Sequence, residues 1–282
     1  MIEFLLKETN TKPLIIHGAG KSKTVPGGVW DTLQSTFYTQ VNIFQKYPHL
    51  DSIDNCDVTI VTWKGGKYAN TKTILETCAE YYDVPLLILD WPRGASFWEG
   101  CHSKITSTLN AINTGLIKTK YVMYLDVGDV ILLEHPSVIL NKCLQLFPGK
   151  LMFNAERNHY PKDDVINRRC PRISEKTRSR FNEVVSFDIA KTHTKFKYLN
   201  GGVAIGETEK LRKFLEYSAS PENHCGIDER PRLTSQVMLR IAQYDNREKV
   251  VLDDGCKLSI CLYNGALLDQ EVHMKDVEIA VK

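Results

Sequence analysis

Short apolar runs that end on glycine, proline or acidic turns alternate along this chain with stretches of helical spacing. Pro13-Leu-Ile-Ile-His17 reads as a short buried strand stopped by Gly18-Ala-Gly20, and Asp57-Val-Thr-Ile-Val-Thr-Trp63 as a second, stopped by Gly65-Gly66. Apolar positions at Ile74, Leu75, Cys78 and Tyr82 predict a helix over 71–82. Val84-Pro-Leu-Leu-Ile-Leu-Asp90 is a third strand, followed by a loop over 91–100. Ile105, Leu109, Ile112 and Leu116 predict a helix over 104–117, which runs into the strand 120–125. Further strands are expected over 149–156, 196–206 (broken by glycines), 250–254 and 258–263, with helices over 208–218 and 234–244. The polar stretch 157–183 reads as a loop, and loops of that length in compact domains are usually functional or disordered.

This order predicts right-handed βαβ crossovers and an α/β fold around a Rossmann-like, mostly parallel sheet with flanking helices. It fits one domain over 1–282, with an amino-terminal strand and loop over 1–30 and a core over 56–266. Ligands of open α/β sheets bind outside the carboxyl ends of the strands. Thr62, Trp63, Asp90, Trp91, Asp126 and Asp129 are expected at that edge.

The chemistry concentrates in Lys120-Tyr-Val-Met-Tyr-Leu-Asp126-Val-Gly-Asp129. Two acids crowded at a strand end repel unless something positive lies between them. A divalent cation with oxygen ligands, holding a phosphorylated substrate, answers that need. An Asp-rich turn whose side chains cap the backbone is the alternative.

A net charge of +2 over 282 residues gives no electrostatic case for nucleic acid. Arg168-Arg169-Cys170-Pro171-Arg172 and the stretch 176–180 are basic, which suits either a solvated loop or a contact for an acidic acceptor or diphosphate. None of the eight cysteines has CxxC or CxxH spacing, which argues against a zinc ribbon and for buried free thiols. The amino terminus is too short in apolar residues and too acidic for a signal peptide. No apolar run reaches the roughly 18 residues of a membrane span. Soluble, reduced, intracellular material is the expectation. Gly20-Lys21-Ser22 is not a phosphate loop, because Ile15 stands where its first glycine belongs and Pro26-Gly27-Gly28 obstruct the helix that should follow.

The ordered set Val58-Thr-Ile-Val-Thr62, Gly100-Cys-His-Ser-Lys104, Tyr124-Leu-Asp126-Val-Gly-Asp129, Phe153-Asn-Ala-Glu156, Tyr198-Leu-Asn200-Gly-Gly-Val-Ala-Ile-Gly206, Leu252-Asp253 and Tyr263-Asn-Gly265-Ala resembles the glycosyltransferase domain of the multifunctional procollagen lysyl hydroxylases. The resemblance implies a GT-A fold, Mn2+, a UDP-sugar donor, and transfer of glucose (or galactose) with retention to hydroxylysine-linked acceptors in collagen-like polypeptides. The family closes its metal site with a histidine in a carboxyl-terminal His-Gly-Asn-Gly-Pro-Thr-Lys motif. Here the counterpart, Leu14-Ile-Ile-His17-Gly18-Ala-Gly20-Lys21, stands at the amino terminus, like a circular permutation. Termini commonly lie close together, so a permuted chain can rebuild one site.

On that resemblance Asp126, Asp129 and His17 are the metal ligands. Lys21 and Lys104 reach the phosphates, and Gly18 and Gly20 let the backbone approach them. Thr59, Val61, Thr62, Trp91 and Val127 line the nucleoside pocket. Asn200, Gly201 and Gly202 line the donor sugar. Asp253 and Asp254, then Asp228 and Glu229, are the candidate nucleophiles, and a front-side mechanism without one stays open. Two departures stand out. Gly128 replaces an aromatic residue of the family, so Trp91, Trp63 or another ring must take its place. Thr234-Ser235-Gln236 replaces an acidic run, where Asp228 or Glu229 is the substitute. A non-catalytic nucleotide-sugar- or collagen-binding module is the competing function. A haloacid-dehalogenase-like phosphatase needs acids separated by one residue rather than two.

Overall fold

In the computed structural model, residues 2–19, 26–44, 57–91, 97–162, 174–220, 235–262 and 277–281 are described. In chain order the strands and helices are β1 (Ile2–Leu6), β2 (Ile15–His17), α1 (Val29–Phe44), β3 (Val58–Lys64), α2 (Ile74–Tyr81), β4 (Leu86–Asp90), α3 (Phe97–Asn113), β5 (Tyr121–Leu125), β6 (Val130–Leu132) and α4 (Pro136–Leu146). They continue with β7 (Leu151–Glu156), α5 (Glu175–Ala190), β8 (Tyr198–Glu207), α6 (Thr208–Ala219), α7 (Ser235–Asp245), β9 (Val250–Asp253), β10 (Ser259–Cys261) and β11 (Val277–Val281).

The central sheet has the order β4-β3-β5-β8-β7-β9. β8 alone is antiparallel to its neighbours β5 and β7; the other adjacent pairs are parallel. The α/β class and mostly parallel sheet are those expected. The reversal of β8 has a consequence for the site. An antiparallel strand begins at the edge where its parallel neighbours end, so Asn200–Gly202 reach the carboxyl end of β5. There the Asp126 N–H donates to the Gly202 carbonyl at 2.8 Å.

Smaller sheets complete the frame. β2 lies between β10, parallel, and β6, antiparallel, with His17 in register with Cys261 and Val130. β1 and β11 pair antiparallel, Ile2 opposite Val281, so the two ends of the chain lie side by side.

Several boundaries differ from the sequence reading for local reasons. α2 starts at Ile74 because Thr73 caps it: its hydroxyl accepts from the Glu76 N–H (3.4 Å) while the Glu76 carboxylate accepts from the Thr73 N–H (2.8 Å). α3 begins at Phe97, inside the stretch read as loop. The carboxyl-terminal part of the 157–183 loop is helical from Glu175, capped by Ser174. One buried cluster joins the strands of all three sheets, including Phe4, Ile16, Ile60, Met123, Phe153 and Ile260. Among the described residues no helix is long and apolar enough to cross a membrane. Cys78, Cys143, Cys256 and Cys261 are buried free thiols, and burial pushes Cys78 and Cys143 up to about 12.

Candidate active site

His17 ends β2 with its backbone clamped on both sides. Its carbonyl accepts from Leu262 N–H at 2.8 Å, and the next residue, Gly18, donates to the Asp129 carbonyl at 2.7 Å. The imidazole is 3% exposed, and its Nε2 lies 3.7 Å from Asp126 Oδ2 and 3.6 Å from Asp129 Oδ1. Those separations exceed a hydrogen bond. One ligand atom from each residue falls within 4.8 Å of the others. Two atoms bonded at right angles to one small divalent ion, about 2.1 Å from it, are about 3 Å apart, so the imidazole and each carboxylate would close by somewhat over half an ångström around an ion. The donors are two carboxylates and an imidazole, a mixture that could hold a divalent metal ion. Asp126 uses its other oxygen, Oδ1, to accept from Lys104.

The ring of His17 has room because residue 202 is glycine. A Cβ there would stand 2.7 Å from Nε2 and 2.8 Å from Nδ1. The same segment is fixed from behind by Gln236 on α7. Its Oε1 accepts from Gly201 N–H at 2.9 Å, and its Nε2 donates to Glu156 Oε1 at 2.9 Å and to the Leu199 carbonyl. Asn200 Oδ1 accepts from Gly202 N–H at 2.8 Å. Burial pushes the Glu156 carboxyl up to about 8, against the opposing influence of His17, Arg240 and a hydrogen bond with Asn200. Deeper still, Arg240 pairs with Asp188 at 2.7 Å beneath the Tyr198 ring and ties α7 to α5.

In front of the acids lies a cavity of about 410 Å3. Lys104, Asp126, Val127, Gly128 and Asp129 line one part; Trp63, Gly65, Gly66, Tyr68 and Trp91 line the rest. The Trp63 indole N–H donates to Ser107 Oγ at 3.0 Å, and its ring tilts against Tyr124 with centroids 4.2 Å apart. Lys104 Nζ stands 5.5 Å over the same indole, so the lysine is held between a carboxylate and an aromatic face.

The expected metal set therefore converges, and Trp91, Lys104 and Val127 line the adjoining cavity. Gly201 and Gly202 lie behind the cluster, and their missing side chains admit Leu239 and His17.

Other expectations are corrected. Thr59 sits at the opposite end of β3, where it accepts from the Thr119 hydroxyl at 2.8 Å, and Val61 and Thr62 are fully buried in the sheet; none of the three lines the cavity. The strand was expected here, but the cavity lining begins one residue later, at Trp63. Gly18 is small because a Cβ would overlap the Trp30 indole. Asp253 is buried and accepts from the backbone N–H groups of Lys257, Leu258 and Ser259 at 2.7–2.8 Å, so its carboxylate closes a turn. Asp254 pairs with His193 at 2.9 Å in a solvent-facing contact. Gly20, Lys21, Asp228, Glu229, the basic run 168–172 and Tyr263-Asn-Gly265 lie outside the described residues.

The sequence reading assigned no role to Tyr68, Glu156 or Gln236. A glutamate closing an apolar strand and a glutamine in an apolar helical period were the available signals for the last two. Nothing in the local pattern marks Tyr68.

No family model and no curated protein matches the chain. Among solved structures it is similar to mouse xyloside xylosyltransferase 1 in its apo form, at 11% identity over 84% of this chain and 82% of that one, with a TM-score of 0.32. A likeness of that degree adds nothing to what the sheet order and the side chains establish.

Proposed function

We propose that this chain is a divalent-cation-dependent glycosyltransferase of GT-A architecture. It moves a hexose, glucose first, from a UDP-sugar to a hydroxylysine-linked acceptor, galactosylhydroxylysine of a collagen-like polypeptide. One observation carries the reading: His17, Asp126 and Asp129 converge beside a cavity that also presents Lys104 and aromatic rings. The single reversed strand beside the acid loop supports the architecture. The ordered resemblance over 56–266 supports the collagen-type acceptor.

Asp126, Asp129 and His17 would hold the ion, and Mn2+ supplies Lewis-acid neutralisation of the departing diphosphate when bound. Lys104 adds a charge-assisted hydrogen bond to a phosphate oxygen once its ammonium turns from Asp126. Trp91 offers the nucleoside an apolar wall. Gly202 leaves the space that the His17 ring fills, and Asn200, Gly201 and Gly202 would bring backbone to the sugar side of the acids. Asp253, with its carboxylate engaged by three amides, is not free to attack the anomeric carbon. Retention without a protein nucleophile fits the described residues better than a double displacement through that group.

The Lys104–Asp126 ion pair favours a second reading, a nucleotide-sugar-binding module whose acid loop is neutralised without an ion. UDP release from UDP-glucose and UDP-galactose, with Mn2+ and a galactosylhydroxylysine peptide, separates the two. The proposal expects metal-dependent release that rises with acceptor. Tight UDP binding without release with any acceptor supports the module, and neither binding nor release overturns both.

A further inference from the structure

We infer that Tyr68 is a base-recognition residue, and that Gly128 stands in the acid loop to admit its ring. Tyr68 closes a tight turn after β3. Its N–H donates to the Gly65 carbonyl at 3.1 Å, and its carbonyl accepts from Thr71 N–H at 3.3 Å. Gly66, inside that turn, has φ +55°, a conformation side chains rarely adopt, so the turn that aims Tyr68 depends on glycine. The ring is carried onto the Asp126–Asp129 loop, where a Cβ on residue 128 would overlap it, 2.6 Å from Cε1 and nearer to the far end of the ring. Trp91 is admitted in the same manner: a Cβ on Gly65 would stand 3.0 Å from its Cγ. Two glycines thus make way for two rings, and both rings line the one cavity.

The same cavity is also lined by ionic groups, Lys104, Asp126 and Asp129. Aromatic rings and ionic groups lining one cavity suit a ligand with a planar heterocycle at one end and phosphates at the other. Every nucleobase has a π-face to stack, so a ring here contributes affinity without reading individual base atoms. This rests on the nucleotide-sugar reading above and extends it to a residue on another element, whose ring packs on the acid loop.

The test is calorimetric, on the full chain with Mn2+, using UDP and inorganic pyrophosphate as ligands. Tyr68→Ala is expected to weaken UDP by about 5- to 150-fold, the factor carried by one lost base–aromatic stack, and to leave pyrophosphate within about twofold. Tyr68→Phe keeps the ring and is expected to bind UDP like the unaltered protein. Gly128→Ala, which displaces the ring without removing it, is expected to reproduce the UDP-selective loss. Unchanged UDP affinity in Tyr68→Ala overturns the inference, as does an equal loss for UDP and pyrophosphate. If the unaltered protein binds neither ligand, the glycosyltransferase reading falls with it. If it binds both and Tyr68→Ala changes nothing, only the role of Tyr68 falls.

Discussion

Gly202→Ala places a methyl group in the space that the His17 imidazole fills. The new carbon would lie 2.7 Å from Nε2 and 2.8 Å from Nδ1. Cε1 of the ring would be closer still, and favourable carbon contacts begin near about 3.5 Å, so ring and strand must part by more than about 0.8 Å. His17 has little room to retreat, since β10 and β6 hold β2 on both sides and the Leu262 N–H holds its carbonyl. Overpacking of this kind costs about 1–3 kcal/mol. Metal ligands tolerate only about 0.2 Å of error, and disturbing the support of a ligand costs about 10- to 100-fold in metal affinity. The assay is titration of Mn2+ in the presence of UDP by calorimetry, with thermal unfolding in parallel. Gly202→Ala should bind Mn2+ and UDP about 10- to 100-fold more weakly, with a lowered but still cooperative melt. His17→Ala should show the same binding loss. Because both substitutions act through one ring, the double variant should bind no worse than His17→Ala alone. Wild-type affinity in Gly202→Ala, or full additivity in the double variant, would refute this use of the glycine.

Glu156→Gln should flatten the dependence of stability on pH. Burial raises this carboxyl in the folded chain to about 8 from an ordinary 4.5, so its contribution is complete below about pH 4.5 and is lost as pH rises through 8. Each tenfold change in proton affinity is worth about 1.4 kcal/mol, so the effect amounts to several kcal/mol. Melting temperatures at pH 5 and pH 8 should diverge in the natural protein and converge in the variant, and equal divergence in both contradicts the assignment. Asp253→Ala should destabilise the chain by about 3–5 kcal/mol in denaturant, because it strands three backbone amides near β10. Asp253→Asn should be milder and keep UDP-release activity per folded molecule within a few-fold. Loss of turnover at unchanged stability would restore Asp253 as a nucleophile.

The parts of this molecule that were legible in the sequence are those where one local pattern decides the outcome. β5 is a continuous apolar run that stops at Asp126 and turns through Gly128, so strand, turn and acids could be read from one stretch of fourteen residues or fewer. His17 was reached through the motif around it, and the pairing of β2 with β6 accounts for its arrival beside Asp129. The reversal of β8 was not legible, because strand direction is set by the crossover and leaves no mark on the alternation within the strand. Thr59 and Val61 were misplaced because a buried apolar run identifies a strand without saying how far along it the cavity opens. Asp253 drew attention as an acid at a strand end, yet its partners are amides four to six residues later, a turn geometry that composition does not specify. Tyr68 escaped because its meeting with Gly128 joins residues sixty positions apart, and only the folded chain brings them together.

The central claim is that Asp126, Asp129 and His17 together clasp a divalent cation beside the nucleotide cavity. Diffraction at the manganese absorption edge, from crystals grown with MnCl2 and UDP, tests it most directly. The account predicts an anomalous peak within bonding distance of both carboxylates and His17 Nε2, with the diphosphate against Lys104. A nucleotide seated in the cavity with no peak among those three side chains would contradict it.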